Sequence, residues 1–84
     1  MKFRKKPVVI EAVQWGLGME HPGVAVEPHH PAVPIEERRF YVVTIHEQRA
    51  YLAPGDWILP EPKEGRFYPC KPDIFAATYE AVAD

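Results

Sequence analysis

Eighty-four residues, 46% of them hydrophobic and 12% aromatic, make one domain with a single modest core and exclude an intrinsically disordered chain. One cysteine excludes a framework of intramolecular disulfides, and no apolar run approaches the roughly 18 residues that a membrane helix needs. The net charge of −2 exerts no general pull toward nucleic acid, although Lys2, Arg4, Lys5 and Lys6 place four positive charges in the first six residues.

That basic leader, residues 1–6, precedes a short apolar run, as a signal peptide would. Glu11 interrupts the run after four residues and no small-residue cleavage pattern follows, so the expectation is a cytoplasmic protein with no membrane association. A solvated leader guarding a hydrophobic strand against aggregation is the simplest reading of these charges. Lys6 to Trp15 is dense in β-branched residues and predicts the first strand. Val8, Ile10 and Ala12 fall on one face, with Val9, Glu11, Val13 and Trp15 on the other.

Residues 16–37 carry Pro22, Pro28, Pro31 and Pro34 and lack a stable period, which predicts a long loop with Val24–Val26 as a short edge strand. Arg38 to Glu47 reads as a second strand. A turn at His46–Arg49 and a return strand over Arg49–Ala53 complete a hairpin. Pro54-Gly55 carries the chemistry of a type II turn, with proline presetting the first central position and glycine supplying the positive φ at the second. Trp57–Leu59 is a further strand, and Arg66–Cys70 another at a sheet edge because of Pro69. Pro72 and Asp73 suit a first helical turn, Ile74 to Ala77 extend it, and Thr78 to Val82 alternate as a closing strand. The expected class is α+β, mainly β. Five or six short strands form a small antiparallel sheet, curled or barrel-like, with one short helix near the C-terminus, all in a single domain of residues 1–84.

The opening RKKPVVIEAVQW, the central PGDWI and the closing GRFYPCKPDIFAATYE resemble a family of small proteins common in bacteriophage and prophage genomes. The resemblance covers both ends, roughly half of the chain. It implies an accessory role in that setting and brings no activity, cofactor or catalytic residue with it. The family's helical insert after the first strand is replaced here by the proline-rich loop.

Among residues that could carry chemistry, Cys70 is the one candidate nucleophile, because Lys71 and the start of the helix lie beside it. The competing reading makes it a small buried corner residue, with Phe67, Ile74, Phe75 and Tyr79 closing the core around it. His29 and His30 are adjacent, but on an extended backbone they point apart and serve one ion poorly, so no metal site and no cofactor is expected. Of the carboxylates Glu11, Asp56, Asp73 and Glu80, Glu11 stands among apolar neighbours and should pair with Arg39 or Lys71 if buried. Asp56 should bond backbone amides of its own turn. The aromatic residues and the flanking Arg38, Arg39, Arg49 and Arg66 could make a base-stacking platform, yet a chain this short needs its aromatics for a core or a dimer interface, so nucleic acid is an unlikely partner.

Three functions follow as candidates. The first is a binding module, with His29, His30, Arg38, Arg39, Trp57 and Tyr68 contacting a protein partner or a second copy. The second is a thiol-dependent enzyme or redox protein built on Cys70. The third is a binder of a small ligand or nucleotide under the long loop. Trp15, Phe40, Val42, Gly55, Phe67, Pro72 and Phe75 are expected to serve structure.

Overall fold

The computed structural model describes residues 1–4, 9–27 and 32–82. Among these residues six strands form: β1 (Val13–Gln14), β2 (Ala25–Glu27), β3 (Arg39–Val43), β4 (Arg49–Leu52), β5 (Trp57–Pro60) and β6 (Phe67–Cys70), and they are followed by helix α1 (Pro72–Thr78). The expected α+β, mainly β class holds, with the strands divided between two three-stranded antiparallel sheets of order β1-β5-β6 and β2-β3-β4 and no closed barrel. Among the described residues no helix is long and apolar enough to cross a membrane.

Alternation builds β3. Phe40 and Val42 face inward, opposite Leu52 and Ala50 of β4, while Arg39, Tyr41 and Val43 lie on the other face, where Tyr41 is buried against Tyr51 and Arg49. The core gathers the fully or nearly buried Trp15, Val42 and Ile58, with Val24, Phe40, Leu52 and Phe67 packed against them. The Trp15 and Phe40 rings meet at 5.3 Å, tilted by 50°. Trp15 Nε1 is buried with no partner among the described residues, a desolvation cost accepted for burying the indole there.

Gly23 lies so close to Phe67 that a Cβ at this position would overlap the ring, which explains a glycine in this part of the long loop. Gly55 takes φ 95° in the turn closed by the Asp56 N–H donating to Ala53 O at 3.0 Å, the geometry that Pro54-Gly55 predicts. At the hairpin between β3 and β4, Glu47 carries the positive φ of 62°, uncommon for a residue with a Cβ. Its carboxylate is clamped by Arg66 Nε and Nη2 at 3.0 and 2.7 Å and by Lys63 Nζ at 3.0 Å, so the turn between β5 and β6 holds the hairpin tip. These ion pairs hold the Glu47 carboxyl far below its ordinary value, at about 2.

Three expectations are corrected. The first strand pairs only at Val13–Gln14, not over Lys6–Trp15; Lys6 to Val8 lie outside the described residues, and Val9 is 78% exposed. The register Val13↔Ile58 would bring Glu11 opposite Pro60, which has no N–H to donate, so the ladder stops. No closing strand forms over Thr78–Val82, since Thr78 ends α1 and residues 79–82 are irregular. Ile74 is 56% exposed and Cys70 only half-buried, so neither closes the core.

Candidate binding groove

The irregular segment Val9–Ala12, the stretch Tyr79–Val82, Trp57 and Phe75 together line a groove of about 390 Å³. Its aromatic wall follows from two local choices in the sequence. Pro72 at the first helical position and Asp73 in the first turn start α1, and the four-residue spacing puts Phe75 and Tyr79 on one face. Antiparallel pairing of β5 with β6 sets Trp57 opposite Cys70, two residues before that helix begins.

The Trp57 and Phe75 rings then stack at 4.1 Å, only 7° from parallel, and Phe75 stacks on Tyr79 at 5.0 Å. The Tyr79 hydroxyl lies 3.5 Å from that of Tyr68, and this contact together with burial pushes the Tyr68 hydroxyl up to about 12. Tyr68 therefore stays neutral and braces the wall from behind. At the rim, Val9 and Val82 are 78% and 65% exposed. The acids Glu11 and Glu80 line the groove as well, exposed and without an ion pair among the described residues. No hydrogen bond among the described residues reaches the backbone of residues 9–12, which leaves those peptide groups for an incoming chain.

Asp56 anchors this arrangement from below. Only 2% exposed, it accepts the Ala53 N–H at 2.9 Å, and both of its oxygens lie 3.1 Å from Lys71 Nζ. The expected local bond of Asp56 is present. The ion pair expected for a buried Glu11 is not, because Glu11 is exposed, Lys71 is taken by Asp56 and Arg39 by Glu27.

The remaining candidate residues lie elsewhere. Cys70 Sγ has one polar neighbour among the described residues, the Lys71 carbonyl at 3.7 Å. The cation expected to activate the thiol is spent on Asp56, and among the described residues no base reaches the sulfur. His29 and His30 lie outside the described residues. Arg38 donates from Nε to Val33 O at 2.9 Å. Arg39 lies over the Tyr51 ring at 3.8 Å and Arg49 over Tyr41 at 4.6 Å, on the outer face of β2-β3-β4. Glu27 receives hydrogen bonds from Arg49 and the Tyr51 hydroxyl and an ion pair from Arg39 at 3.8 Å; the Tyr51 bond, then Arg49 and Arg39, lower its carboxyl against the opposing effect of burial. These guanidinium groups cover the tyrosine faces on which bases would stack. Among the described residues no three metal-ligating side chains converge.

Of the predicted contact residues, the structure brings Trp57 to the groove and Tyr68 behind it. Phe75 and Tyr79, assigned to the core by sequence, are its walls. Comparison with protein-family models, with curated proteins and with solved structures returns no match.

Proposed function

We propose that this chain is a non-catalytic binding module, an accessory protein of the phage or prophage kind that its terminal motifs resemble, and that it grips an apolar segment of a protein partner in the groove beside Trp57, Phe75 and Tyr79. The observation that carries this reading is the groove itself: stacked aromatic side chains, exposed valines at the rim and a backbone wall whose hydrogen-bonding groups are unused among the described residues. Aromatic anchors with free peptide groups alongside are the means by which extended peptides are held. Catalysis through Cys70 has less support, because among the described residues the thiol has neither a base nor a free cation beside it. A small ligand under the long loop has less support too, since the groove lies between the two ends of the domain.

The test is selection from a displayed library of random peptides against the full chain. Enriched sequences should carry apolar or aromatic anchors, and Trp57→Ala should weaken them by tenfold or more, on the order of a typical hot-spot truncation. Val82→Glu, at an exposed rim position where folding is not at stake, should weaken them as well. Tyr51→Ala on the other sheet should not. Failure to enrich any peptide, or indifference of the enriched peptides to both groove variants, overturns the reading.

A further inference from the structure

Charge is divided sharply along this chain. The leader, residues 1–6, holds four of the ten basic residues and no acid, which leaves six basic against twelve acidic residues in the rest, a net charge of −6. All six of those remaining cations are engaged. Arg39 and Arg49 pair with Glu27, Lys63 and Arg66 with Glu47, Lys71 with Asp56, and Arg38 binds the Val33 carbonyl. Lys2 and Arg4 have no partner among the described residues, and Glu11 and Glu80 of the groove have none either. The leader also exposes large apolar side chains, with Phe3 at 88% and Met1 fully open to solvent, so they stand outside the groove of their own copy.

We propose that the groove receives the basic leader of a second copy of this chain, an inference that rests on the groove being a binding site. An extended Met1-Lys2-Phe3-Arg4 places Met1 and Phe3 on one side and Lys2 and Arg4 on the other. Phe3 then packs against the aromatic wall of Trp57, Phe75 and Tyr79, while Lys2 and Arg4 reach the carboxylates of Glu11 and Glu80 at the rim. The leader backbone runs beside residues 9–12, whose peptide groups are unused among the described residues. Because residues 9–12 follow the leader in the chain and line the groove, each copy that gives its leader can receive one. Reciprocal exchange closes a two-fold pair and leaves no open end to propagate.

Sedimentation of the full chain over a range of concentrations tests this. A monomer–dimer equilibrium is expected, weakened about tenfold or more between about 50 mM and about 500 mM salt, because the attraction is between exposed charges. Reversing the leader charges (K2E with R4E) and reversing the rim charges (E11K with E80K) should each weaken the dimer by roughly tenfold, and the four changes together should restore it. All four positions are exposed, so these variants do not threaten the fold. A wild-type chain that stays monomeric to about 1 mM, or a dimer indifferent to both reversals, overturns the inference. If the monomeric chain still binds selected peptides through Trp57, only the identity of the occupant fails. If no peptide binds either, the groove is not a binding site at all.

Discussion

Replacing Lys71 by methionine strands a buried carboxylate, and the structure sets the size of the effect. Asp56 is 2% exposed, whereas the Lys71 side chain is 60% exposed, so the pair is neither a buried ion pair nor a surface one. Breaking a buried pair costs about 3–5 kcal/mol, and exposed pairs contribute about 0–1 kcal/mol. With Ala53 N–H still donating to the carboxylate, Lys71→Met should cost about 1.5–2.5 kcal/mol. Asp56→Asn keeps an acceptor for that N–H and should cost about 1 kcal/mol, while Asp56→Ala leaves it unpaired and should cost about 2–3 kcal/mol. Most of the Lys71→Met penalty belongs to the stranded charge, so the double variant Asp56→Asn, Lys71→Met should cost little more than Asp56→Asn alone. Urea denaturation of the four proteins gives the cycle, with a coupling of about 1.5–2 kcal/mol expected. Lys71 also precedes α1, so Lys71→Met should weaken peptide binding by loosening Phe75 against Trp57. A Lys71→Met variant within about 0.3 kcal/mol of wild type, or additive costs in the double variant, refutes the reasoning.

Other outcomes follow from the same structure. Glu47 has its carboxyl lowered from an ordinary value near 4.5 to about 2, so its contribution to stability is complete above 4.5 and is lost as pH falls through about 2. Urea midpoints measured against pH should therefore show wild type ahead of Glu47→Gln at neutral pH, with the difference gone in strong acid. Gly23→Ala should cost about 1–3 kcal/mol in thermal or urea unfolding, because the new Cβ overlaps the Phe67 ring, which itself lies edge-on to His21 at 4.9 Å. Cys70→Ser should leave peptide binding and self-association unchanged, as expected of a thiol with no base beside it among the described residues; a loss of either would return Cys70 to the site.

The hairpin and the Pro54-Gly55 turn were legible because each rests on local chemistry, the period-two alternation of Phe40 to Val43 and a proline followed by a glycine at positive φ. The first strand is shorter than its composition predicts, for a physical reason. A run with apolar residues on both faces describes a covered strand, and it equally describes a wall that stands open beside aromatic rings. Only the position of Pro60 in the neighbouring strand decides between them. Phe75 and Tyr79 were visible as a helical pair, but their stacking on Trp57 depends on the β5–β6 register, which no local signal specifies. Glu27 was hidden in a proline-rich stretch, and its partners arrive from two other strands. Lys71 was legible as a cation beside Cys70, whereas its capture by Asp56, fifteen residues away, required the fold.

The most direct test of the groove is a map of amide chemical shifts of the full chain as a selected peptide is added. Shifts confined to residues 9–12, Trp57 and residues 75–82 are the predicted result. Shifts centred instead on the Arg39, Arg49 and Tyr51 face of the other sheet, or an absence of shifts in the groove at saturating peptide, would contradict it.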